Sequence, residues 1–382
     1  MENIINKLRL ASLPVLAVFL TVGTMIAPST AQADMFSSDK FTMYGDFRLR
    51  LEADWDSQKA DGTQRSDRNR ARIRARVGLK SNPTDNFTFG VRLRSGSDNN
   101  HLSPHITIID FDDNNTGDAD FNFDKWFLKA KTNQLWGWVG RNSLPFWKQN
   151  EMFWDDDATP VGLAAGYKLG FGAAELALNT AYFTLPAGMH KFSGNLGLGQ
   201  LVFSTKFGGN KLTAAAGFLN IDANPDDPDA GHSSLWDNNG FRDYQIWIGS
   251  LQAKAGNLTL GVDWMHNAED YSETDPDPFT VANRDETDAY VASIIFGKTK
   301  EKGDWLLGYY YAHIETLAIN SSYAQDDWGR WNPQSSNMKG HEVRMAYKHL
   351  KFLTIVGRFY LIEDITDDQD GKRFRLDFNY KF

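Results

Sequence analysis

The sequence predicts an all-β protein: a transmembrane antiparallel β-barrel of about 16 strands, within a range of about 14–18, with short periplasmic turns and long extracellular loops. Three observations support this fold class. Segments of alternating apolar and polar residues recur throughout, their connections alternate between short and long, and the chain is rich in aromatic residues, with 26 Phe, 13 Tyr and 12 Trp. Mean hydropathy is only −0.47, as expected where every second strand residue faces water.

Residues 1–33 predict a signal peptide that is cleaved after Ala33. Lys7 and Arg9 precede an apolar run, and a small-residue Ala-Gln-Ala site follows it. A membrane anchor is the less favoured alternative, because a spanning helix needs about 20 apolar residues and this run is shorter and interrupted. The predicted mature domain is the barrel itself, residues 34–382. The chain contains no cysteine, which excludes disulfides and a cysteine-linked lipid anchor.

The clearest strand covers residues 70–80. Its odd positions are apolar, whereas its even positions are almost all basic. A strand places those arginines on one face, but a helix would scatter them. Segments 47–53 and 87–94 alternate in the same way. Each Arg placed at the lipid midplane would cost roughly 2–4 kcal/mol, so the basic face is expected to line a wet lumen.

Weaker alternation indicates thirteen further strands. They lie near residues 121–131, 134–141, 161–169, 174–184, 199–207, 211–219, 243–254, 258–267, 288–297, 304–315, 341–348, 351–361 and 372–382. Short links alternate strictly with long polar links, which lie near residues 55–67, 97–119, 142–160, 185–198, 220–242, 268–287, 316–340 and 362–371. This sorting of connections is typical of an outer-membrane barrel and has no reason to occur in a soluble β-sandwich.

Two segments resemble known outer-membrane proteins. The last strand alternates apolar with polar residues and ends on Phe378, Tyr380 and Phe382, which is similar to the C-terminal signal by which such barrels are recognised for assembly. The stretch Val139–Phe146, followed by Phe153–Leu163, resembles the bacterial "putative porin" family. The arginine-rich wall is similar in character, though not in motif, to alginate-export channels. General-porin resemblance implies an inward third loop and a homotrimer.

The strongest functional candidates are eight arginines on one predicted face of three consecutive strands: Arg48, Arg50, Arg70, Arg72, Arg74, Arg76, Arg92 and Arg94. Rings of charge in an aqueous pore set which ions enter. The alternative is structural pairing with Asp46, Glu52 and Asp54.

Loop 142–160 is expected to fold inward, because its four aromatic side chains would be costly to expose. It would bring Glu151, Asp155, Asp156 and Asp157 opposite the arginines. A solvated extracellular loop is the alternative.

Two other groups of residues are functional candidates: the acidic loops and the aromatic residues near strand ends. Acidic loops, including Asp364 to Asp370, have part of the ligand spacing of a calcium loop, but Gln369 replaces its required glycine, so no metal site is predicted. Aromatic residues near strand ends predict interface girdles: Tyr44, Trp126, Trp136, Trp138, Trp264, Trp305, Tyr309, Tyr347, Tyr360 and Tyr380. An aromatic track for sugars is the alternative.

These features predict a porin of a Gram-negative outer membrane that passes small hydrophilic solutes without a cofactor. The arginines favour anionic solutes, whereas the acidic loops and the negative net charge favour the opposite selectivity, so its sign stays open. The expected partners are outer-membrane lipid, lipopolysaccharide and the barrel-assembly machinery. The net charge of −9 argues against a polybasic nucleic-acid binder. An adhesin or receptor acting through its long loops is the alternative. A barrel-borne surface hydrolase is a further one, although no zinc or serine-hydrolase motif is present.

Overall fold

The computed structural model describes residues 40–98, 100–112, 120–185, 194–223, 242–272, 283–330 and 335–382. The predicted signal peptide, residues 1–33, lies outside the described residues, as do the acidic runs at 226–229 and 275–277. Across the described ranges, no helix is long and apolar enough to cross a membrane.

Seventeen strands form one antiparallel sheet in the described part of the chain. They are β1 (Phe41–Gln58), β2 (Arg68–Thr84), β3 (Phe87–Ser95), β4 (Ile106–Asp110), β5 (Phe121–Lys131), β6 (Leu135–Arg141), β7 (Val161–Phe171), β8 (Ala174–Leu185), β9 (Gly194–Phe207), β10 (Asn210–Ala223), β11 (Tyr244–Ala255), β12 (Leu258–Asn267), β13 (Asp288–Gly297), β14 (Trp305–Ile314), β15 (Met338–Leu350), β16 (Leu353–Asp364) and β17 (Asp370–Lys381). The sheet closes where β1 pairs with β17.

One position in the barrel wall is shared by two strands. The β3 strand pairs with β2 from Arg76 onward, whereas the short β4 pairs with β2 between Arg70 and Ile73. Both are antiparallel to β2, so they run in the same direction. Together they occupy a single strand position in the barrel wall. The predicted sixteen-stranded barrel is therefore confirmed. The expectation of an unbroken loop over 97–119 is wrong, since that stretch contains β4.

The outer face of the barrel is an apolar band. Exposed side chains such as Leu51, Phe89, Leu128, Leu201 and Ile294 point outward along their strands. An apolar surface of this extent is unfavourable in water but suits a bilayer. The strands alternate, so their other residues face the lumen.

Part of the lumen is filled by two long connections. One is the predicted inward loop, residues 142–160, and the other is residues 315–330 with 335–337, which we call the second inward loop. Trp154 of the first and Tyr323 of the second are each 1 % exposed, and their rings stack with centroids 5.0 Å apart. The long link predicted near residues 316–340 does connect β14 to β15, but it folds into the barrel, and its last residues belong to β15. Apolar residues such as Leu317 and Ile319 would be unfavourable in water and are buried here instead.

Candidate functional site

All eight predicted arginines lie on the inner face of β1, β2 and β3. They are joined there by arginines that the sequence analysis did not single out: Arg358 on β16, and Arg373 and Arg375 on β17. Closure of the barrel between β1 and β17 makes these strands neighbours. We call this set the arginine wall.

Carboxylates on the same strands pair with much of the arginine wall. Glu52 contacts Arg70, Arg72 at 3.8 Å and Arg375 at 2.6 Å. Asp46 contacts Arg74 at 2.9 Å and Arg76 at 2.8 Å. These contacts are the pairing that the structural alternative expects, and the selectivity of the wall stays a prediction. Removing one partner of such a buried pair would leave a charge uncompensated, which is costly.

Asp377 is a further centre of pairing. Its carboxylate accepts a hydrogen bond from Arg50 Nε at 2.7 Å, lies 4.0 Å from Arg48 Nε, and contacts Arg358. Both Arg50 and Asp377 are buried. On β3, Arg92 pairs with Asp124 of β5, whereas Arg94 donates to the carbonyl of His101 at 3.2 Å.

The loop 142–160 crosses the lumen from one wall to another. The backbone of Trp147 exchanges two hydrogen bonds of 2.7 Å with the side chain of Gln200 on β9. Asn150 donates to Asp263 on β12 at 2.6 Å. At its far end, Asp157 contacts Arg74 at 3.3 Å and also pairs with Arg76. Polar contacts to three separate parts of the barrel hold this loop inside.

The second inward loop continues the same layer. The backbone NH of Asp155 donates to the carbonyl of Tyr323 at 2.7 Å, and that of Gln325 donates to the carbonyl of Glu151 at 3.0 Å. Asp327 contacts Arg50 at 3.3 Å and also pairs with Arg375. This loop therefore adds two carboxylates, those of Asp326 and Asp327, that the sequence analysis did not assign to the site.

A cavity of about 180 Å³ lies between the arginine wall and the two loops. Its cationic side chains come from strands of the barrel wall, and its carboxylates come from the two inward loops. The first group is Arg48, Arg74, Arg76, Arg358 and Lys381, and the second is Glu151, Asp155, Asp156, Asp157, Asp326 and Asp327. We call this cavity the constriction. Opposed charges across so short a gap produce a transverse electric field.

The loop carboxylates fall into two electrostatic classes. Burial raises the pKa of Asp155 well above its usual range, and the neighbouring carboxylate of Glu151 adds to the effect. Although burial opposes it, the guanidinium groups of Arg74 and Arg76 lower the pKa of Asp157. Asp156 is exposed and contacts Lys148 at 2.6 Å.

Four of the predicted girdle aromatics face the lumen rather than lipid, so that expectation is wrong for Tyr44, Trp136, Trp138 and Tyr360. Trp136 and Trp138 alternate with Leu135 and Val139, which are the exposed residues of β6. Strand parity was the signal that could have separated them. The other six lie on the outer face, where Trp126, Trp264, Trp305, Tyr309, Tyr347 and Tyr380 are all exposed.

The segment around Phe382 seals the barrel. Its backbone exchanges two hydrogen bonds of 3.1 Å with Gly45 at the start of β1. Phe378 and Tyr380 lie on β17 with parity opposite to the inward Asp377. The recognition of these residues during assembly stays a prediction.

The acidic turn after β16 is held by its own hydrogen bonds. The Asp364 carboxylate accepts from the Asn337 side chain at 2.8 Å and from the backbone NH groups of Thr366 and Asp367 at 3.0 Å each. Among the described residues, no three His, Cys, Asp or Glu side chains are grouped so as to hold a metal ion.

A closed barrel with an apolar outer face, a charged lumen and inward loops defines a porin-type outer-membrane β-barrel. Comparison with known families agrees, since residues 60–193 match the family described as "Putative porin". No curated protein matches the sequence. The family match and the fold together place the chain in the outer membrane.

Several solved outer-membrane protein structures are similar to this chain at low sequence identity. The Salmonella typhi OmpF complex with daunomycin is 13% identical with a TM-score of 0.53, covering 90% of this chain and 97% of that one. A loop-deletion mutant of the Vibrio cholerae outer-membrane protein OmpT is 14% identical with a TM-score of 0.49, covering 90% and 99%. A triple mutant of the Rhodopseudomonas blastica porin is 11% identical with a TM-score of 0.47, covering 90% and 100%.

Proposed function

We propose that the barrel is a passive diffusion channel for small hydrophilic solutes. The observation that carries this proposal is the constriction, where cationic and anionic side chains face one another across a cavity of about 180 Å³ inside a closed barrel. A charged, solvated cavity favours water and polar solutes over apolar ones. The channel would need no cofactor or catalytic turnover.

The constriction would sort solutes by width and by charge. Arg48, Arg74 and Arg76 present positively charged, forked donors that suit carboxylates and phosphates. The facing carboxylates disfavour a purely anion-selective pore. The field between the two sides would orient dipolar solutes, and those able to place an anionic group against the arginine wall should pass most easily. Modest anion preference is the expected result.

Swelling of proteoliposomes in isosmotic solutes tests this function. Neutral, anionic and cationic solutes of matched size should enter at different rates, with the anion ahead of the cation. The variant Arg48→Gln should reduce that difference, because Arg48 lines the constriction. Lys339→Gln is the matched control, since Lys339 pairs with Glu363 outside the constriction. Absence of solute entry from protein with the heat-modifiable gel mobility of a folded barrel would refute the proposal.

Homotrimerisation stays a prediction from the family resemblance. Chemical crosslinking of the protein in native outer membrane should give a trimeric species, and a ladder that ends at the monomer would contradict it.

A further inference from the structure

Lysines surround the lumen at the end of the barrel where the short turns lie. They alternate along their strands with exposed apolar residues such as Leu79, Leu128 and Tyr347, so they point inward. We call the following set the lysine mouth: Lys80, Lys129, Lys131, Lys168, Lys206, Lys211, Lys254 and Lys348. None of these side chains lines the constriction. Short turns face the periplasm in this class of barrel, so the lysine mouth is the periplasmic entrance.

Most of the positive charge in the lysine mouth is uncompensated. In the described chain, the one carboxylate that pairs with it is Glu175, which lies 3.6 Å from Lys168. Lys80 and Lys129 lie over aromatic rings, and Lys348 donates to a hydroxyl at 3.2 Å. Among the described residues, the other four ammonium groups have neither an ion pair nor a hydrogen bond; they belong to Lys131, Lys206, Lys211 and Lys254. The arginine wall, in contrast, is largely paired with carboxylates.

Three of these lysines stand side by side on neighbouring strands. Lys211 of β10 is directly opposite Lys206 of β9 on one side and directly opposite Lys254 of β11 on the other. All three side chains are exposed. Like charges directly opposite one another destabilise a sheet. An anion bound between them would relieve this repulsion.

The three lysines select a ligand by its charge rather than by its shape. Neighbouring strands lie about 4.8 Å apart, so the three ammonium groups share a strip of wall about 10 Å wide. A monovalent anion can neutralise one of them, whereas a multivalent anion can interact with all three. Lysine carries a compact charge on a flexible stem and lacks the planar fork of arginine. Carboxylate and phosphate groups should therefore both be accepted.

The opposite end of the barrel carries the opposite charge. Strands there begin or end at carboxylates, including Asp110, Asp288, Asp364 and Asp370. The charge of the barrel is thus asymmetric along its axis. A multivalent anion is attracted at the end with the short turns and repelled at the end with the long loops.

We propose that the lysine mouth binds small multivalent anions, polyphosphates and tricarboxylates alike, through Lys206, Lys211 and Lys254. The inference deepens the proposed channel function, on which it rests for its physiological meaning, by naming a solute class and the entrance that captures it. Binding itself does not require that the barrel conduct.

Titration calorimetry at low ionic strength tests the site with inorganic tripolyphosphate and the refolded protein in a nonionic detergent. The triple variant Lys206→Gln/Lys211→Gln/Lys254→Gln should weaken binding about tenfold, a factor of about two for each exposed ion pair. The matched control is Lys298→Gln/Lys300→Gln/Lys302→Gln. It removes three exposed charges from the turn between β13 and β14, at the same end of the barrel, and should leave binding unchanged. Equal weakening in both variants would overturn the site, as would binding that the first variant leaves intact.

The valence of the ligand and the side of its addition complete the test. Trivalent citrate should bind with the same dependence on the three lysines, whereas acetate should bind far more weakly; equal binding of the two would overturn the selection by charge. In planar bilayers, tripolyphosphate should block the KCl current at lower concentration from the side of the short turns, and equal block from both sides would contradict capture there. Binding without current steps would refute the channel alone, whereas current steps without binding would refute the site alone.

Discussion

The replacement Asp157→Asn tests whether the inward loop is tied to the arginine wall. Asp157 accepts a hydrogen bond from Arg74 at 3.3 Å and another from Arg76, and all three side chains are largely buried. Hydrogen bonds to charged groups are worth roughly 1.5–3 kcal/mol each. Asp46 still pairs with both arginines in the variant, and Asn keeps one acceptor. We therefore expect a net loss of about 2 kcal/mol of loop attachment, well below the sum of two such bonds.

A loss of this size raises the population of the displaced loop about 30-fold. Single-channel recordings should then show more frequent current fluctuations, together with a shift toward anions because one negative charge has gone. The matched control is Asp156→Asn. It removes the same charge one residue away, but Asp156 is exposed and its carboxylate pairs with Lys148 of the same loop rather than with the arginine wall. Equal fluctuation rates in the two variants would refute the tie between Asp157 and the wall.

Three further predictions concern charge, pH and assembly. The double variant Arg72→Ala/Arg74→Ala should lose much of the anion preference, measured as the reversal potential in a KCl gradient. An unchanged potential would show that the arginine wall does not set ion selectivity. Because burial raises the pKa of Asp155, acidification from pH 7 should protonate it before ordinary carboxylates. On acidification, the anion preference should therefore begin to rise at a higher pH than it would if only surface carboxylates were protonated. A rise at the usual pKa of a surface carboxylate would contradict this. Phe382→Ala should lower the amount of heat-modifiable barrel in the outer membrane, and normal assembly would argue against the predicted signal.

Strand positions and faces could be predicted because the side-chain period of a strand is two and a misplaced arginine is costly in lipid. Residues 70–80 show this most clearly. The pairing partners could not be predicted in the same way. Asp377 pairs with Arg50, which is 327 positions away, and only closure of the barrel brings them together. Alternation within one strand carries no information about which distant strand lies beside it.

One of the two inward loops could be predicted from the sequence, and the other could not. Aromatic residues in 142–160 predicted an inward loop, and the structure places it inside the barrel. The second inward loop carries a similar signal in Leu317, Ile319 and Tyr323, but its length and polar residues predict only a long polar link. The short β4 was missed because residues 106–110 lack clean alternation.

The most direct test of the channel is single-channel conductance of the purified protein in planar bilayers, with gel mobility confirming that the barrel is folded. We expect stable, ohmic current steps in KCl and a reversal potential that indicates a modest preference for anions. Folded protein that inserts into the bilayer but gives no current steps would contradict it.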